Sequence, residues 1–402
     1  MKKFLVMLTV IALIAFAGAA QNVIKIGAHW PLADPGSAEA AKAAQLAVDE
    51  INKAGGVAGK QLQLIIVDDE MKGDQGVAAI ERLVNVEKVD VLFGGYASGV
   101  EAAIIPTLKK YGIVTLATGA ASSGLVEKPL GPSPDSDFYF HLHPWDYQQS
   151  QSEIDGFAAI AQKYPNIKAK RLFIAYEEGA FGAPSFAGWK AILGPQGWEV
   201  DGASFKSAAA GGSDYSGALQ AAKDFKPDMF WWIGYAPDAL PLLEQAKAMK
   251  FSPPIYLGAP PAWPADFSSS PLGNNVMLFG MWSPAMNKVS PASKKFYDAY
   301  VAAYKVAPSS YFAALSYSGI YILRDAIRKA GGVDKAKLIA ALEQTSYASP
   351  LGQTITFTAS NLIKHQGIKN QKVLQWQNGN QEIIWPFEAA SATIVYPLPA
   401  WK

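Results

Sequence analysis

Short apolar segments alternate with amphipathic helical segments along most of this chain, and this alternation restricts the fold more than any other feature. In the first part, strands are predicted at residues 23–26, 62–67, 89–93 and 113–116. Helices are predicted between them at 37–53 and 74–87, and a third helix follows the strand at 89–93 and ends at residue 111. After residue 143 the pattern resumes, with strands at 171–176, 199–205, 228–233 and 254–257 and helices at 184–193, 215–225 and 238–249. Strands that alternate with helices form parallel, doubly wound sheets. The sequence therefore predicts an α/β protein built from two doubly wound lobes.

Two segments indicate where the chain passes between these lobes. Residues 144–146 (Pro-Trp-Asp) follow a short strand at 138–143, and the segment 260–274, rich in proline, serine and glycine, precedes a strand at 276–281. Helices are then predicted at 291–304, 311–330 and 334–345, before a strand at 354–358 and a hairpin at 373–385 that turns at Asn378-Gly379.

We therefore expect a multi-strand hinge joining a first lobe, residues 21–143 and 279–348, to a second lobe, residues 144–278 and 349–386. Residues 387–402 form the predicted C-terminal tail. Because ligands of open α/β sheets bind at the carboxyl ends of the strands, a ligand cleft is predicted between the lobes.

The first 20 residues have the layout of a secretory signal peptide: Lys2 and Lys3, an apolar run at 4–16, and small residues at 17–20. No later run reaches the ~18 uncharged apolar residues of a membrane span. The chain has 35 Lys and Arg; without Lys2 and Lys3, 33 basic residues stand against 34 acidic ones, with no basic block, so nucleic acid is not an expected partner. The chain has no cysteine, which excludes disulfides and the lipid-carrying cysteine of a bacterial lipoprotein. We expect a soluble, monomeric periplasmic protein without a lipid anchor.

The junction at residues 94–99, Gly-Gly-Tyr-Ala-Ser-Gly, is the main candidate for a functional site, because it ends a strand and opens a helix at Ser98. Unpaired amide N–H groups at a helix start carry a positive partial charge, so a loop of small residues there admits an anion. The alternative is simple capping, since Ser98 and Glu101 have the spacing of a capping box.

Several segments, taken in order, carry a family resemblance. They are Ile-Lys-Ile-Gly at 24–27 with Pro-Leu at 31–32, Ala-Val-Asp-Glu-Ile-Asn at 47–52 with Gly-Gly-Val-Ala-Gly-Lys at 55–60, Asp-Asp at 68–69, Val-Asp at 89–90 through Gly-Gly at 94–95 to Ser-Gly at 98–99, Phe-Gly at 181–182, Asp-Tyr-Ser at 214–216, and Pro-Asp at 227–228 through Gly-Tyr at 234–235 to Asp238. In order and spacing, they resemble the type I periplasmic solute-binding proteins of bacterial ABC importers, the family of the branched-chain amino acid and amide receptors. The resemblance spans nearly all of the mature chain.

This resemblance implies roles for several residues. Ser98 corresponds to the serine that holds the ligand carboxylate, and Ala120 and Ser122 to the contacts of the next loop. Phe181 falls where these receptors often carry a tyrosine that closes on the ligand, and Tyr235 lies in the second-lobe loop that does the same. Because Phe181 lacks the hydroxyl, a polar contact from that position is not expected. Tyr96 is a further candidate, and in this context ligand contact is favoured over simple capping at Ser98.

Other chemistries find little support in the sequence. His141 and His143 would point to one face of a strand, as a metal pair would, but no acidic cluster completes a site. Ser98 does not lie in the Gly-x-Ser-x-Gly elbow of hydrolases, and no phosphate-binding glycine loop is present. We expect no catalytic residue, no metal and no cofactor.

Trp30, Trp145 and Trp263 are predicted to lie in loops that face the cleft or hinge. Aromatic walls are usual in small-molecule pockets, and ligand contact and plain packing are equally compatible with these three positions.

The predicted function is to capture a small carboxylate-bearing solute by lobe closure and deliver it to an ABC permease. Amino acid receptors of this kind place an acid near the strand corresponding to residues 255–258, whereas residues 259–265 here read Ala-Pro-Pro-Ala-Trp-Pro-Ala. An aromatic or short aliphatic carboxylate, or an amide, is therefore favoured over a branched-chain amino acid, unless Asp238, Glu177 or Glu178 supplies the acid. The alternatives are a ligand-sensing module on the same fold and, as a third possibility, an enzyme.

Overall fold

The computed structural model describes residues 23–260, 262–264, 266–360 and 363–399, so the predicted signal peptide, residues 1–20, lies outside it. The first sheet consists of β1 (Val23–Trp30), β2 (Gln61–Asp68), β3 (Val91–Gly94), β4 (Thr115–Ala117) and β5 (Tyr139–His141). These strands are parallel and lie in the order β2-β1-β3-β4-β5. The helices between them are α1 (Pro35–Lys53), α2 (Gly73–Asn85), α3 (Ser98–Tyr111) and α4 (Ser123–Leu130).

Local chemistry sets the limits of α1. The Asp34 carboxylate accepts from the amide N–H groups of Gly36 (2.8 Å) and Ser37 (3.2 Å), and Pro35 occupies the first turn, where it needs no N–H partner. The helix ends before Gly55, whose φ of 104° is readily adopted only by glycine. Its buried face is rich in alanine, which allows close packing against a neighbouring helix.

The second sheet combines β6 (Arg171–Glu177), β7 (Glu199–Phe205), β8 (Met229–Ile233), β9 (Ile255–Gly258) and β10 (Met277–Gly280) with the later strands β13 (Lys372–Gln377) and β14 (Asn380–Trp385); β11 (Tyr347–Ala348) and β12 (Thr354–Ile355) form a separate pair. The order is β14-β13-β10-β9-β8-β6-β7, with β13 and β14 antiparallel. All of β8 is buried because both faces of the sheet are covered. The predicted α/β fold with two wound sheets is confirmed.

The remaining helices cover these sheets. They are α5 (Asp146–Lys163), α6 (Gly182–Leu193), α7 (Ser216–Phe225), α8 (Ala239–Ala248), α9 (Pro291–Tyr304), α10 (Tyr311–Ala330) and α11 (Lys335–Leu342). Although it comes late in the chain, α10 packs along α1 of the first lobe. None of the helices in the described ranges is both long and apolar enough to cross a bilayer.

The chain passes between the lobes at several places, and two of these passages are hydrogen-bonded to each other. The amide N–H of His141 donates to His365 (3.0 Å), and those of Gly367 and Ile368 donate to His141 (2.8 Å) and Leu142 (3.0 Å). The predicted boundary between residues 278 and 279 cuts through β10. This strand belongs to the second sheet, because it pairs with β9 and β13.

Candidate functional site

A cavity lies between the lobes, at the carboxyl ends of strands from both sheets. It holds about 620 Å³ of empty space, counted with its opening to solvent. Of the residues singled out in the sequence, Tyr96, Ser98, Ala120, Phe181 and Tyr235 line it. The first three come from loops of the first lobe and the other two from the second, so the cavity has one wall on each lobe.

On the first-lobe wall, α3 begins at Ser98 without a side-chain cap, because its N-cap residue is Ala97. The Ser98 Oγ accepts from the amide N–H of Ser122 in the next loop (3.2 Å). The carboxylate of Glu101 turns away from the helix start: its Oε1 accepts from the Tyr139 hydroxyl (3.0 Å), and its Oε2 lies 3.9 Å from His29 Nε2. The capping-box alternative is therefore wrong, because Glu101 belongs to a buried polar cluster beneath the loop.

The loops after β3 and β4 are packed together as one unit. The amide N–H of Thr118 donates to Gly94 (2.7 Å), and that of Ala120 donates to Tyr96 (3.0 Å). A Cβ at Gly119 would lie 2.5 Å from the Gly95 carbonyl oxygen, so only glycine permits this approach. Ala120 itself has a φ of 70°, a strained conformation of the kind found at functional loops.

This packing brings the starts of two helices together. Ser122 is the N-cap of α4, makes no side-chain cap bond, and is buried with no hydrogen-bond partner for its Oγ among the described residues. It lies outside the cavity lining, although its amide holds Ser98. The start of α4 is held by the Asp146 carboxylate, which accepts from the Ser123 amide (3.2 Å). The start of α3 has no side-chain cap, so its partial positive charge makes the corner beside Ser98 suitable for an anion.

The histidines near this corner are neutral. Burial lowers the pKa of His141 to about 4 and that of His143 to about 3. His141 Nε2 lies 2.7 Å from the Gly119 carbonyl oxygen, and His143 Nε2 lies 3.1 Å from the Tyr311 hydroxyl. His141 lies in β5, whereas His143 follows it, and no set of three or more metal-ligating side chains comes together in the described part of the chain.

The three candidate tryptophans pack in the interior, outside the cavity lining. Trp30 lies in β1, not in a loop, with its ring edge-on to Phe93 at 5.7 Å. Trp145 stacks on His141 at 3.7 Å, and Trp263 packs edge-on against Trp232 at 5.9 Å. Of the two alternatives left open for these three residues, ligand contact and packing, the structure shows packing, because each large ring is buried against another aromatic ring. The tryptophan that lines the cavity is Trp231, on β8.

The acids expected as partners of a ligand cation have other roles. The Asp238 carboxylate accepts from the hydroxyls of Ser207 (2.6 Å) and Tyr215 (2.7 Å) and from the amides of Ala208 (2.7 Å) and Tyr235 (2.8 Å). Neither this acid nor Glu177 lines the cavity, and Glu178 is exposed.

Glu177 organises the loop before α6 in a similar way. Its carboxylate accepts from the amide N–H groups of Gly179 (2.6 Å), Phe181 (2.9 Å) and Gly182 (2.7 Å). Both acids therefore position residues of the cavity wall, Asp238 through Tyr235 and Glu177 through Phe181.

The sequence reasoning missed a polar face of α5. Gln149, Ser150 and Glu153 line the cavity, and all three are buried. Glu153 Oε2 accepts from Trp189 Nε1 (3.1 Å), and burial raises the pKa of Glu153 to about 8. Gln149 and Ser150 precede Glu153 by four and three residues, and residues at these spacings are neighbours on a helix surface, so this spacing was a usable signal.

Two kinds of comparison place this structure among known proteins. A family model described as periplasmic binding protein matches residues 23–381. The Leu/Ile/Val-binding protein BraC3 from Rhizobium johnstonii is 28% identical to this chain over 338 residues, which is 83% of this chain and 86% of the relative.

Solved structures agree with this result. The branched-chain amino acid transporter substrate binding protein LivJ from Streptococcus pneumoniae, in complex with isoleucine, is 25% identical, with a TM-score of 0.73 over 93% of this chain and 100% of the other. A solute binding protein of an ABC transporter from R. palustris, in complex with benzoate, is 20% identical, with a TM-score of 0.75 over 90% of this chain and 95% of the other. The second likeness shows the fold alone.

Proposed function

Because this chain belongs to the periplasmic binding protein family, we propose that it captures a small carboxylate-bearing solute by closing its lobes and delivers it to the membrane permease of an ABC importer. It would act in the periplasm after loss of residues 1–20. The observation that carries the proposal is the uncapped start of α3, where Ser98 lies on the cavity wall and accepts from the Ser122 amide at the start of α4.

A carboxylate fits this corner better than a cation does. No lysine or arginine lines the cavity in the described part of the chain, so an anion would be held by amide and hydroxyl donors. Helix N-termini stabilise such groups through their unpaired N–H groups and partial charge. Ser98, the amides near Ala120 and, through Ser98, Ser122 would form this site.

The rest of the cavity suits an apolar body. Trp231, Phe279 and Phe312 line it together with Phe181 and Tyr235, whose rings lie 5.7 Å apart. LivJ is described with isoleucine and the R. palustris protein with benzoate, so both aliphatic and aromatic solutes are known on this architecture. We propose an aromatic or short aliphatic acid, or an amide, as the solute in preference to a branched-chain amino acid. The carboxylates of Asp238 and Glu177, which could have paired with an ammonium group, instead accept hydrogen bonds from donors within the protein.

A binding role is proposed rather than a catalytic one. The Ser98 Oγ accepts a bond from a backbone amide, and the nearby His143 pairs with Tyr311, so no hydrogen bond among the described residues joins Ser98 to a base that would activate it.

Ligand binding is expected to drive lobe closure, because a solute held by both walls stabilises only the closed state. A solute at ~100 times its Kd should raise the free energy of unfolding by about 2.7 kcal/mol. Mass spectrometry of small molecules that remain bound during purification identifies the solute. Small-angle X-ray scattering of the protein with and without that solute then measures lobe closure. An unchanged radius of gyration at saturation would contradict the hinge mechanism.

Ser98→Ala is expected to weaken carboxylate binding by about 1.5 to 3 kcal/mol, the range for hydrogen bonds to charged groups. Titration calorimetry measures this loss. The matched control is Ser290→Ala, which removes a serine that caps α9 by accepting from the Ser293 amide (3.2 Å) and that lies outside the cavity lining. The control should lose stability and keep its affinity. If Ser98→Ala behaves like the control, Ser98 has only a structural role.

A further inference from the structure

Glu153 differs from the other buried acids of the second lobe in the number of its hydrogen-bond donors. Asp238 accepts four hydrogen bonds and Glu177 three, as expected of ionised carboxylates in the interior. Glu153 is 4% exposed and accepts one, from Trp189. An ionised carboxylate that accepts only one hydrogen bond is poorly stabilised in the protein interior.

Among the described residues that line the cavity with Glu153, none is a lysine or arginine that would supply a counter-charge. Trp189 packs against Trp231, with ring centroids 4.5 Å apart, and Trp231 and Phe279 line the cavity beside the acid. The other titratable groups in the cavity lining are Tyr96, His143, Tyr235 and Tyr311. The phenols are uncharged at neutral pH, and burial lowers the pKa of His143 to about 3, so its imidazole is uncharged as well. An uncharged carboxyl group fits these surroundings, and its O–H donor then needs an acceptor.

The fold places Glu153 away from the proposed carboxylate corner. The first residue of α5, Asp146, donates its amide N–H to the Ala121 carbonyl oxygen (2.6 Å), so the helix starts at that corner. Glu153 lies seven residues further along the helix, a rise of about 10 Å. Gln149 and Ser150 lie between them on the same wall of the cavity.

We propose that Glu153, in its uncharged form, donates a hydrogen bond to an oxygen atom of the solute and so forms a second polar subsite. The inference rests on the proposed carboxylate-binding function. It narrows the solute to an acid that carries a hydroxyl or carbonyl oxygen at the end opposite its carboxylate. A solute with an ammonium group at that end is excluded, because it would require the ionised form of Glu153.

Calorimetric titration at pH 7 with benzoate, 3- and 4-hydroxybenzoate, pentanoate, 5-hydroxypentanoate and 4-(aminomethyl)benzoate tests this subsite. We expect a hydroxylated acid to bind about tenfold more tightly than its parent, and the aminomethyl compound to bind no better than benzoate. Glu153→Gln, whose amide still donates, should keep the preference within about threefold. Glu153→Leu, which can neither donate nor accept a hydrogen bond, should lose the preference, measured as the ratio of the two affinities in the same variant.

Three results would overturn the inference. Tightest binding of the aminomethyl compound, abolished in Glu153→Gln, would make Glu153 a counter-ion. Binding of parent and hydroxylated acids with equal affinity, unchanged in Glu153→Leu, would remove the subsite and leave the carboxylate site intact. If the folded wild-type protein binds none of these acids, the proposed function fails as well, and the subsite with it.

Discussion

Replacing Asp238 by alanine is expected to lower the free energy of unfolding by at least about 4 kcal/mol. The substitution leaves the donors of Ser207, Tyr215, Ala208 and Tyr235 without their acceptor, and Asp238 is fully buried. Each buried donor left unpaired costs about 1 to 3 kcal/mol, and the four losses are not additive because the donors share one site. Urea unfolding measures the change.

Asp214→Ala is the matched control for this prediction. Asp214 is an exposed acid of the same lobe that accepts one hydrogen bond, from the Ser216 amide (2.9 Å), and its replacement should change stability by less than about 1 kcal/mol. Equal, small losses in both variants would show that the Asp238 network contributes little. A large loss in Asp238→Ala together with weaker solute binding would show that Tyr235 needs this carboxylate to hold its place.

Glu153→Gln is expected to make the protein more stable than wild type by about 4 kcal/mol at pH 8, and by almost nothing at pH 4. Burial raises the pKa of Glu153 to about 8, from the usual 4.5. Between these values the folded state binds one proton more than the unfolded state, so the wild-type free energy of unfolding falls as pH rises. At 1.36 kcal/mol per pH unit, the wild-type free energy of unfolding falls by roughly 4 to 5 kcal/mol over this range. Glutamine cannot ionise, so the variant does not lose this stability.

Unfolding in urea at pH 4, 6 and 8, without solute, measures this difference. Glu244→Gln, at an exposed position of α8, serves as control and should change stability by less than about 0.5 kcal/mol at each pH. A stability difference for Glu153→Gln that does not grow with pH would show that Glu153 is ionised in the folded protein. That result would also remove the basis for an uncharged Glu153 in the second polar subsite.

The sequence alone was sufficient for the architecture and for several residues on both walls of the cavity. Alternation of strands and helices depends on local hydrophobic periodicity, and it correctly predicted two wound sheets. The turn at Asn378-Gly379 and the helix start at Ser98 were also readable, because turn and helix-start chemistry involves residues close together in the chain.

Tertiary structure alone decided how the polar groups are used. Asp238 and Glu177, which looked available to a ligand, bind donors of their own lobe, and Glu101 pairs with Tyr139, 38 residues away, instead of capping α3. Trp30 and Trp263 are core residues because partners distant in sequence, such as Trp376, which lies 5.7 Å from Trp263, cover them. Glu153 is a cavity residue because α5, which starts beside Ala121 and packs on the second sheet, turns a polar face toward the cavity. Whether a buried acid binds a ligand or a neighbour depends on which donors the folded chain brings within about 3 Å of it, and most of those donors come from elsewhere in the chain.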